Sequence, residues 1–370
     1  MLKALEDFRD QLTWTEEPTP KGWLRRLHWP HMLSHSAQIT GPDGRFWQSM
    51  KIYRAQGGYT PLYVRMSPEG ELEHAYGETI GVNPDIFFPP GGTPWTSLTP
   101  TDEYHKREVE LYLPIQNREG VARPKHFRPF VGDYIGNVGN FAMFHSYPFF
   151  GGKQPDKLCK AEFKDGVYKK RKTAKLELPF KNKVFLDAEE RIHLLGRQED
   201  GFFLHREVDV DGKVLRSRPL QLGLVGVGVC RLDFEGDSAF VTYSGRDLRY
   251  VRANAAGELE VQDLFALREG SRFFSLWDPV HLGGETYVVR FTHEDGNGWV
   301  KIVEGKCMEI WLRDDEGYKA QKSGTHITMP SGAKTITGMS GLKDGRYAVA
   351  MTDAQPPKGN LCDLWILGIA

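Results

Sequence analysis

Charged and polar side chains recur at one place in the pattern of this chain, directly after segments of alternating apolar residues. Imidazole nitrogens and carboxylate oxygens bind divalent cations in proteins, so such side chains could build a metal site if the fold brings them together. Without a metal, the same set could form a polar pocket. The residues in question are His145, Arg246, Asp247, His293, Asp295 and Asp353.

Aromatic residues stand in the same loop-like segments. Exposed aromatic rings on loops are common anchors for protein partners and for sugars, because each ring buries a large area on contact. The residues predicted to anchor a ligand in this way are Tyr59, Tyr104, Tyr147, Phe149 and Trp299.

Sequence patterns that are specific for a known catalytic chemistry are absent. The chain has no G-x-S-x-G, no H-E-x-x-H and no cysteine paired with a nearby histidine. No residue is therefore assigned a catalytic role, and no organic cofactor is predicted. A divalent cation is the one cofactor that the polar set would suit, with His145, His293, Asp295 and Asp353 as its candidate ligands.

The spacing of turn glycines predicts the elements that position these residues. Six segments align without gaps on one glycine, and each has the pattern of a strand, a tight polar turn and a second strand. Glycine supplies the positive φ that such hairpin turns require. The aligned glycines are Gly70, Gly120, Gly166, Gly212, Gly257 and Gly317.

A second hairpin precedes most of these segments, with a D-G, E-G or G-G turn followed by alternating apolar residues. Joining the two hairpins predicts four-stranded units with a period of about 48 residues. In number and spacing these units resemble the blades of the β-propeller superfamily, and the resemblance implies an all-β ring of seven four-stranded blades. Because the pairs typical of WD40 blades do not recur from unit to unit, no family's functional residues are carried over.

Both ends of the chain depart from the repeat. Residues 1–30 are predicted to form a short amphipathic helix and a ring-closing segment, and residues 31–370 a single propeller domain. The last unit, which ends in 361–370, lacks a fourth strand, and a segment within 12–36 is expected to supply it, because an open edge invites aggregation. The apolar residues of the predicted helix are Leu2, Leu5, Phe8 and Leu12.

Two stretches break the period. The unit over 81–130 is rich in proline where its first hairpin should lie, which predicts an irregular sheet. The interval before Gly317 is longer than the others and predicts an insertion within 293–308.

The run 169–183 carries seven cations and one acidic residue. Positive charge of this density could contact phosphates, but the run lacks the interleaved aromatics that stack on bases. The alignment makes it the outermost strand of its unit, where lysines commonly prevent edge pairing. Because the net charge of the whole chain is −1, nucleic acid is not expected as a partner.

Composition favours a folded cytoplasmic protein without membrane association. Hydrophobic residues make up 40% of the 370 residues and charged residues 26%, as in ordinary globular proteins. No apolar run approaches the ~20 residues that span a bilayer. The four cysteines are far apart, without a C-x-x-C pair, and are interpreted as buried thiols. They are Cys159, Cys230, Cys307 and Cys362.

These observations leave three functions open. The first, and the favoured one, is a non-catalytic scaffold that holds a protein partner on one face of the ring, because the loops are varied and aromatic. The second is a metal-assisted hydrolase, lactonase or lyase at the mouth of the central channel, so whether the protein is an enzyme stays open. The third is a carbohydrate-binding propeller. A protein partner is expected, with a small molecule or a glycan as the alternatives.

Overall fold

The structure is a computed structural model of the chain. It describes residues 6–7, 12–17, 22–29, 33–53, 59–77, 82–99, 111–115, 133–146, 156–164, 167–176, 182–187, 189–197, 202–221, 226–231, 233–234, 236–256, 258–277, 279–329, 333, 335–342, 345–352 and 363–369. Within these ranges the regular structure consists of β-strands, with no α-helix among them. Accordingly, the described residues include no helix long and apolar enough to cross a bilayer.

Three short strands open the chain, and the other strands of the described ranges build antiparallel sheets that we number I to VII in chain order. The first three strands are β1 (Glu6–Asp7), β2 (Thr13–Glu17) and β3 (Trp23–His28). Sheet I contains β4 (Leu33–Thr40), β5 (Phe46–Tyr53), β6 (Tyr59–Met66) and β7 (Leu72–Gly77), and sheet II contains β8 (Val82–Phe87), β9 (Trp95–Thr99) and β10 (Leu111–Pro114).

The middle of the chain forms three sheets of four strands each. Sheet III contains β11 (Asp133–Val138), β12 (Phe141–Ser146), β13 (Lys157–Lys164) and β14 (Val167–Lys175). Sheet IV contains β15 (Asn182–Leu186), β16 (Ile192–Arg197), β17 (Phe202–Val208) and β18 (Val214–Gln221). Sheet V contains β19 (Gly226–Arg231), β20 (Ser238–Ser244), β21 (Asp247–Ala253) and β22 (Leu259–Ala266).

The remaining strands form two larger sheets. Sheet VI contains β23 (Phe273–Leu276), β24 (Val280–Gly283), β25 (Thr286–His293), β26 (Gly296–Val303), β27 (Lys306–Arg313), β28 (Gly317–Ala320) and β29 (His326–Thr328). Sheet VII contains β30 (Thr335–Gly341), β31 (Tyr347–Thr352) and β32 (Asp363–Ile369), and β3 and β2 join it beside β32.

Sheets I, III, IV, V and VII are regular blades, in which four strands pair antiparallel from the first to the fourth. The prediction of seven four-stranded blades is therefore wrong, since five blades have this form. Sheet II has three described strands, and its β8–β9 pairing shifts between Val82 and Asp85, next to Pro84. Sheet VI has seven, because β23 and β24 share β25 as partner and β28 and β29 extend it beyond β27.

The hydrophobic core lies between the sheets. Each cluster of buried apolar side chains draws on two sheets that follow one another in the chain. One further cluster joins the last sheet to the first, through Leu27 and Ile366 of sheet VII and Phe46 of sheet I. The first strands of these two sheets, β30 and β4, are also neighbours. The sheets thus form a closed ring, and the fold is an all-β propeller.

The N-terminal segment confirms one prediction and overturns another. As expected for a segment within 12–36, β3 pairs antiparallel with β32 as the fourth strand of sheet VII, from Trp23 opposite Gly368 to His28 opposite Asp363. The predicted helix over residues 1–30 is wrong, because the described part of this segment is extended. Strand β1 pairs with the outer edge of β7, and this pairing satisfies backbone groups that a helix would satisfy internally. Of its predicted apolar residues, Leu12 is buried, whereas Leu2, Leu5 and Phe8 lie outside the described residues.

Many hairpin turns share one local device. A side-chain oxygen at the start of the turn accepts the backbone N–H groups two and four residues later, which satisfies two donors that the strands leave unpaired. Ser67, Asp187, Asp209 and Asn254 all do so, at 2.9–3.2 Å.

Gly120, Gly166 and Gly257 lie outside the described residues. Of the three aligned glycines that the structure describes, two take the predicted turn conformation, with φ of +81° at Gly70 and +78° at Gly212. Gly317 does not: it begins β28, where a Cβ would lie 1.8 Å from the Ile327 carbonyl oxygen. The corresponding turn of sheet VI is formed by Glu304 and Gly305, both with positive φ. The insertion predicted within 293–308 is therefore wrong, since that stretch forms regular strands and the added strands lie elsewhere in the sheet.

Candidate functional site

The sequence-predicted polar residues that the structure brings together lie where sheets V and VI meet. Three backbone segments are joined there by hydrogen bonds: the β20–β21 turn, the connection over 267–272, and the β25–β26 turn. Leu267 N–H donates to the Arg246 carbonyl at 2.9 Å, and Glu294 N–H donates to the Arg272 carbonyl at 3.1 Å. Turns between second and third strands and the connections between blades thus share one face of the propeller, which we call the turn face.

Asp295 ties two of these segments together. Its carboxylate accepts hydrogen bonds from Ser271 Oγ at 2.6 Å and from the guanidinium of Arg268, whose Nε lies at 3.1 Å. The Ser271 hydrogen bond and the Arg268 charge hold the pKa of Asp295 below its ordinary value. The carboxylate is therefore ionised at neutral pH and engaged in protein contacts.

His293, at the end of β25, lies among aromatic rings. Its ring is 5.9 Å from Phe273, 6.0 Å from Phe291 and 6.3 Å from Phe265, measured between centroids. Its Nδ1 accepts a hydrogen bond from the Asp295 amide at 3.3 Å. Burial lowers the pKa of His293, against the opposing effect of the Asp295 charge, so the imidazole is neutral at neutral pH.

The other two polar residues of sheet V lie close by. Arg246 is exposed in the β20–β21 turn, and Asp247 begins β21 and contacts the Arg249 guanidinium at 3.4 Å.

The remaining candidate ligands are not brought to this place. His145 lies in sheet III, where its Nε2 is 3.0 Å from Asp156 Oδ2 in a mostly buried pair. Asp353 lies outside the described residues. Over the ranges that the structure describes, no three His, Cys, Asp or Glu side chains cluster closely enough to hold a metal ion.

Of the predicted aromatic anchors, Trp299 is corrected. The β25–β26 turn is only two residues long, so Trp299 falls inside β26, where it is fully buried and stacks on Trp311. Its Nε1 donates to the Tyr347 hydroxyl at 2.8 Å, so it is a core residue. Tyr59 begins β6, but the structure does not describe its side chain. Tyr104, Tyr147 and Phe149 lie outside the described residues.

Phe274 is an exposed aromatic that sequence reasoning missed. It lies on β23, the first strand of sheet VI, at a register shift between Phe273 and Ser275, and 52% of its surface is exposed. The Tyr243 hydroxyl donates to its carbonyl at 3.4 Å, and the Arg272 guanidinium lies 5.6 Å from its ring centroid. The adjacent pair Phe273–Phe274 was the available sequence signal, because successive residues of a strand point to opposite faces and the two rings cannot both face the core.

Three exposed arginines lie in or beside the segments that adjoin β23 on the turn face, and Arg272 is the one whose guanidinium lies near this ring. We call the group of Arg246, Arg268, Arg272 and Phe274 the Arg–Phe patch. The side chain of Arg268 is 77% exposed even though it pairs with Asp295, and Arg246 and Arg272 are exposed as well. Arginine and aromatic residues are the types most enriched at the energetic centres of protein interfaces.

A second polar cluster, also missed from sequence, crosses the strands of sheet IV inside the protein. Arg218 Nε donates to His205 Nδ1 at 3.4 Å, and His205 Nε2 lies 3.0 Å from His193 Nδ1. His193 Nε2 lies 2.8 Å from Asp187 Oδ2. Arginine can only donate, so His205 Nδ1 accepts and the His205 proton lies on Nε2. His205 Nε2–H then donates to His193 Nδ1, and His193 Nε2–H donates to Asp187. Every donor in this series of four side chains therefore meets an acceptor. We call this chain of four side chains the histidine relay.

Burial decides the charge of the relay. Both imidazoles are fully buried. Burial, with the positive charge of Arg218 as a smaller contribution, lowers the pKa of His205 to about 3. Burial alone would raise the pKa of Asp187, but hydrogen bonds from His193 and Arg191 outweigh it and hold that pKa below its ordinary value. The relay therefore holds a neutral His205 and an ionised Asp187, which is a structural arrangement within sheet IV.

Comparison with known proteins adds likenesses of architecture. No protein-family model matches the chain, and no curated protein matches it either. Among solved structures, a protein of unknown function from Dyadobacter fermentans is similar over 97% of this chain and 100% of its own, with 11% identity and a TM-score of 0.41. Prolyl oligopeptidase B from Galerina marginata is similar over 95% of this chain, which spans 55% of that protein, with 10% identity and a TM-score of 0.49. The WD40 domain of SCAP from fission yeast is similar over 92% of this chain and 82% of its own, with 12% identity and a TM-score of 0.39. The assignment to the β-propellers rests on the sheets and the closed core described above.

Proposed function

We propose that this protein is a non-catalytic binding scaffold that holds a protein partner on the turn face, with the Arg–Phe patch as the contact. The observation that carries the proposal is the half-exposed ring of Phe274 on an innermost strand, with Arg272 beside it and the exposed Arg246 and Arg268 on the adjoining segments of the same face. Covering a phenylalanine side chain stabilises a complex by roughly 2 kcal/mol, and arginine adds directed hydrogen bonds around it.

The patch is held in place before any partner binds. Backbone hydrogen bonds join the segments that carry Arg246, Arg268 and Arg272, and Asp295 fixes the Arg268 guanidinium. A preorganised surface loses little conformational entropy on binding, so more of its contact energy is available as affinity.

A complementary partner would present carboxylates around an apolar side chain. Guanidinium groups form paired hydrogen bonds with carboxylates, and an apolar group would cover the Phe274 ring. We also propose that the protein acts in the cytoplasm, which agrees with Cys159 and Cys307 being free thiols.

The test is a comparative capture experiment. The wild-type protein, the double variant Phe274→Ala/Arg272→Ala and a matched control are immobilised, and the proteins retained from lysate are quantified by mass spectrometry. The control is Leu259→Ala/Val261→Ala, because both residues are exposed apolar positions on the outer strand β22, at 41% and 53%. Far-ultraviolet circular dichroism verifies that all three proteins are folded.

The proposal predicts at least one protein whose recovery falls about tenfold or more with the patch variant and is unchanged with the control. Equal recovery of every retained protein on all three columns would contradict it. A hydrolase or lyase activity lost in His293→Ala would move the assignment to an enzyme.

A further inference from the structure

The outer edges of two sheets in this fold are already covered by an added strand. Strand β2 pairs antiparallel with β3 in sheet VII, with Glu16 opposite Arg25, and β1 pairs with β7 in sheet I. Both added strands are acidic: β2 has the sequence TWTEE and β1 the sequence ED. In sheet VII the acidic strand covers an edge that carries two arginines, and the Arg25 guanidinium lies 3.3 Å from Glu16.

Strand β14 is the corresponding outer strand of sheet III, and within the described ranges no strand pairs with its free edge. As predicted, the basic run begins in this outermost strand, whose sequence is VYKKRKTAK. All five of its cationic side chains are exposed, and the strand has no acidic residue. They are Lys169, Lys170, Arg171, Lys172 and Lys175.

Nearby acids offset only part of this charge. Arg171 pairs with Glu162 of the neighbouring strand, and Lys172 shares Asp211 of sheet IV with Lys160, at 3.2 and 2.8 Å. The strand therefore presents a positive edge to which no strand of the described ranges is hydrogen-bonded.

We propose that β14 is a docking edge for an acidic, extended peptide segment of a partner protein. The segment adds to sheet III as a fifth strand, as β2 adds to β3. Backbone hydrogen bonds supply affinity in this mode, and side-chain charge selects the sequence. The lysines repel a second copy of the same edge while they attract an acidic strand, so the same residues prevent self-association and define the partner.

A β-bulge at Arg171 limits where the segment can pair. The β13–β14 register shifts between Lys160 and Ala161, which leaves Arg171 as the extra residue. Strand β7 has the same irregularity at Glu73 and still pairs with β1 beyond it, at Tyr76 and Gly77. The part of β14 that follows its own bulge, as 74–77 follows the bulge of β7, is 172–175, and we assign the pairing of the acidic segment to these residues.

The experiment measures fluorescence anisotropy of a labelled octapeptide of alternating Glu and Val, titrated with the full-length protein. Two charge-reversal variants are compared: Lys169→Glu/Lys175→Glu on β14, and Lys306→Glu/Lys319→Glu, a matched change at exposed positions of sheet VI. A second peptide carries N-methyl groups on alternate residues, so that it keeps its charge but cannot donate strand hydrogen bonds. Hydrogen exchange of the β14 amides is followed with and without the peptide.

We expect the β14 variant to weaken binding at least tenfold, the sheet VI variant to leave it unchanged, and the N-methylated peptide to bind at least tenfold more weakly. The amides of β14 should become protected when the acidic peptide is added. Equal weakening by both variants, or equal binding of the N-methylated peptide, would show charge attraction without strand addition and overturn the proposal. Protection of β14 before the peptide is added, or binding of an oligothymidylate in place of the peptide, would overturn it too. This edge is distinct from the Arg–Phe patch, so its failure leaves the proposed function standing.

Discussion

At the scale of single residues, the histidine relay shows how two imidazoles can be buried at small cost. A buried imidazole is tolerated when both ring nitrogens are hydrogen-bonded, and in this cluster the donors all point one way, from Arg218 to Asp187. Removing the His205 side chain, which lies between Arg218 and His193 in the relay, leaves His193 Nδ1 without its donor and Arg218 Nε without its acceptor. The cost of such a change is the desolvation of groups that no longer have partners.

We therefore expect His205→Ala to lower the free energy of unfolding by about 2–4 kcal/mol, through the lost hydrogen bonds and the cavity left behind. Urea denaturation monitored by circular dichroism measures this value. The matched control is His281→Ala, an exposed histidine, for which we expect a change within about 0.5 kcal/mol. Equal effects of the two substitutions would contradict the role of the relay.

The relay also predicts a pH dependence of stability. The pKa of His205 is about 3 in the folded protein, below the ordinary value of 6.5, so the unfolded chain binds a proton that the folded protein does not. The stability is then fully present above pH 6.5 and falls as the pH is lowered from there toward 3, by at most about 1.4 kcal/mol per pH unit.

The free energy of unfolding, measured between pH 7.5 and 5, should fall less steeply in His205→Gln than in the wild type, because glutamine does not titrate. Asp187 does not account for this difference, since its lowered pKa acts only in more acidic solution. Identical slopes for the two proteins would show that the pKa of His205 is not lowered in the folded protein.

At the scale of elements, a hairpin turn of sheet I packs against β3, the strand that closes the ring. The turn at Gly70 of sheet I packs against Trp23 of β3, and Arg25 Nε donates to the Gly70 carbonyl at 3.0 Å. A Cβ at Gly70 would lie 2.6 Å from the Trp23 ring, and the positive φ already disfavours any other residue.

Gly70→Ala should therefore destabilise the protein by more than about 2 kcal/mol, by strain in the turn and displacement of Trp23. The control is Gly245→Ala, which also has positive φ but has no atom within 4 Å of its added Cβ, and for which about 1 kcal/mol is expected. Thermal unfolding followed by calorimetry distinguishes them. A smaller effect at Gly70 than at Gly245 would mean that β3 does not pack there.

The elements were predicted from sequence where a turn uses ordinary chemistry. A side-chain oxygen at Ser67 or Asp209 and a glycine three residues later mark their turns clearly. The turn at Glu304 and Gly305 escaped prediction although E-G is a turn pattern of this chain, because the alignment assigned the turn of this unit to Gly317. That turn explains the position wrongly assigned to Gly317, whereas Trp299 was misplaced because the β25–β26 turn is only two residues long.

The candidate site was predicted only in part, for a related reason. His293 and Asp295 were found because their residue types carry chemistry, but sequence does not reveal that Ser271 and Arg268 engage the carboxylate. Phe274 was missed because the Phe273–Phe274 pair indicates that one ring faces away from the core but not which of the two it is. The histidine relay joins three strands and a turn, and such cross-strand contacts follow from register, which sequence specifies weakly.

At the scale of the whole molecule, β3 holds the ring closed through both of its faces. Leu27 packs in the cluster between sheets VII and I, while Leu24 packs in the cluster between sheets VI and VII. Both side chains are fully buried. One strand therefore stabilises two boundaries of the ring at once.

Leu24→Asp/Leu27→Asp should open the ring, because two unpaired carboxylates cannot be buried in apolar clusters. We expect rapid tryptic cleavage near β3 and an increased hydrodynamic radius. Thr13→Asp/Thr15→Asp, at exposed positions on the added strand β2, is the control and should leave both unchanged. Unchanged proteolysis of the leucine variant would contradict closure by β3.

The ring also places the Arg–Phe patch on a fixed face, and the affinity of a captured partner tests that arrangement most directly. The measurement is the Kd of a purified partner, obtained by calorimetry, for the wild type, Phe274→Ala and the Leu259→Ala/Val261→Ala control. We expect Kd to rise about 30-fold for Phe274→Ala, corresponding to about 2 kcal/mol, and to be unchanged for the control. Equal Kd values for all three proteins would contradict the assignment of the turn face as the binding surface.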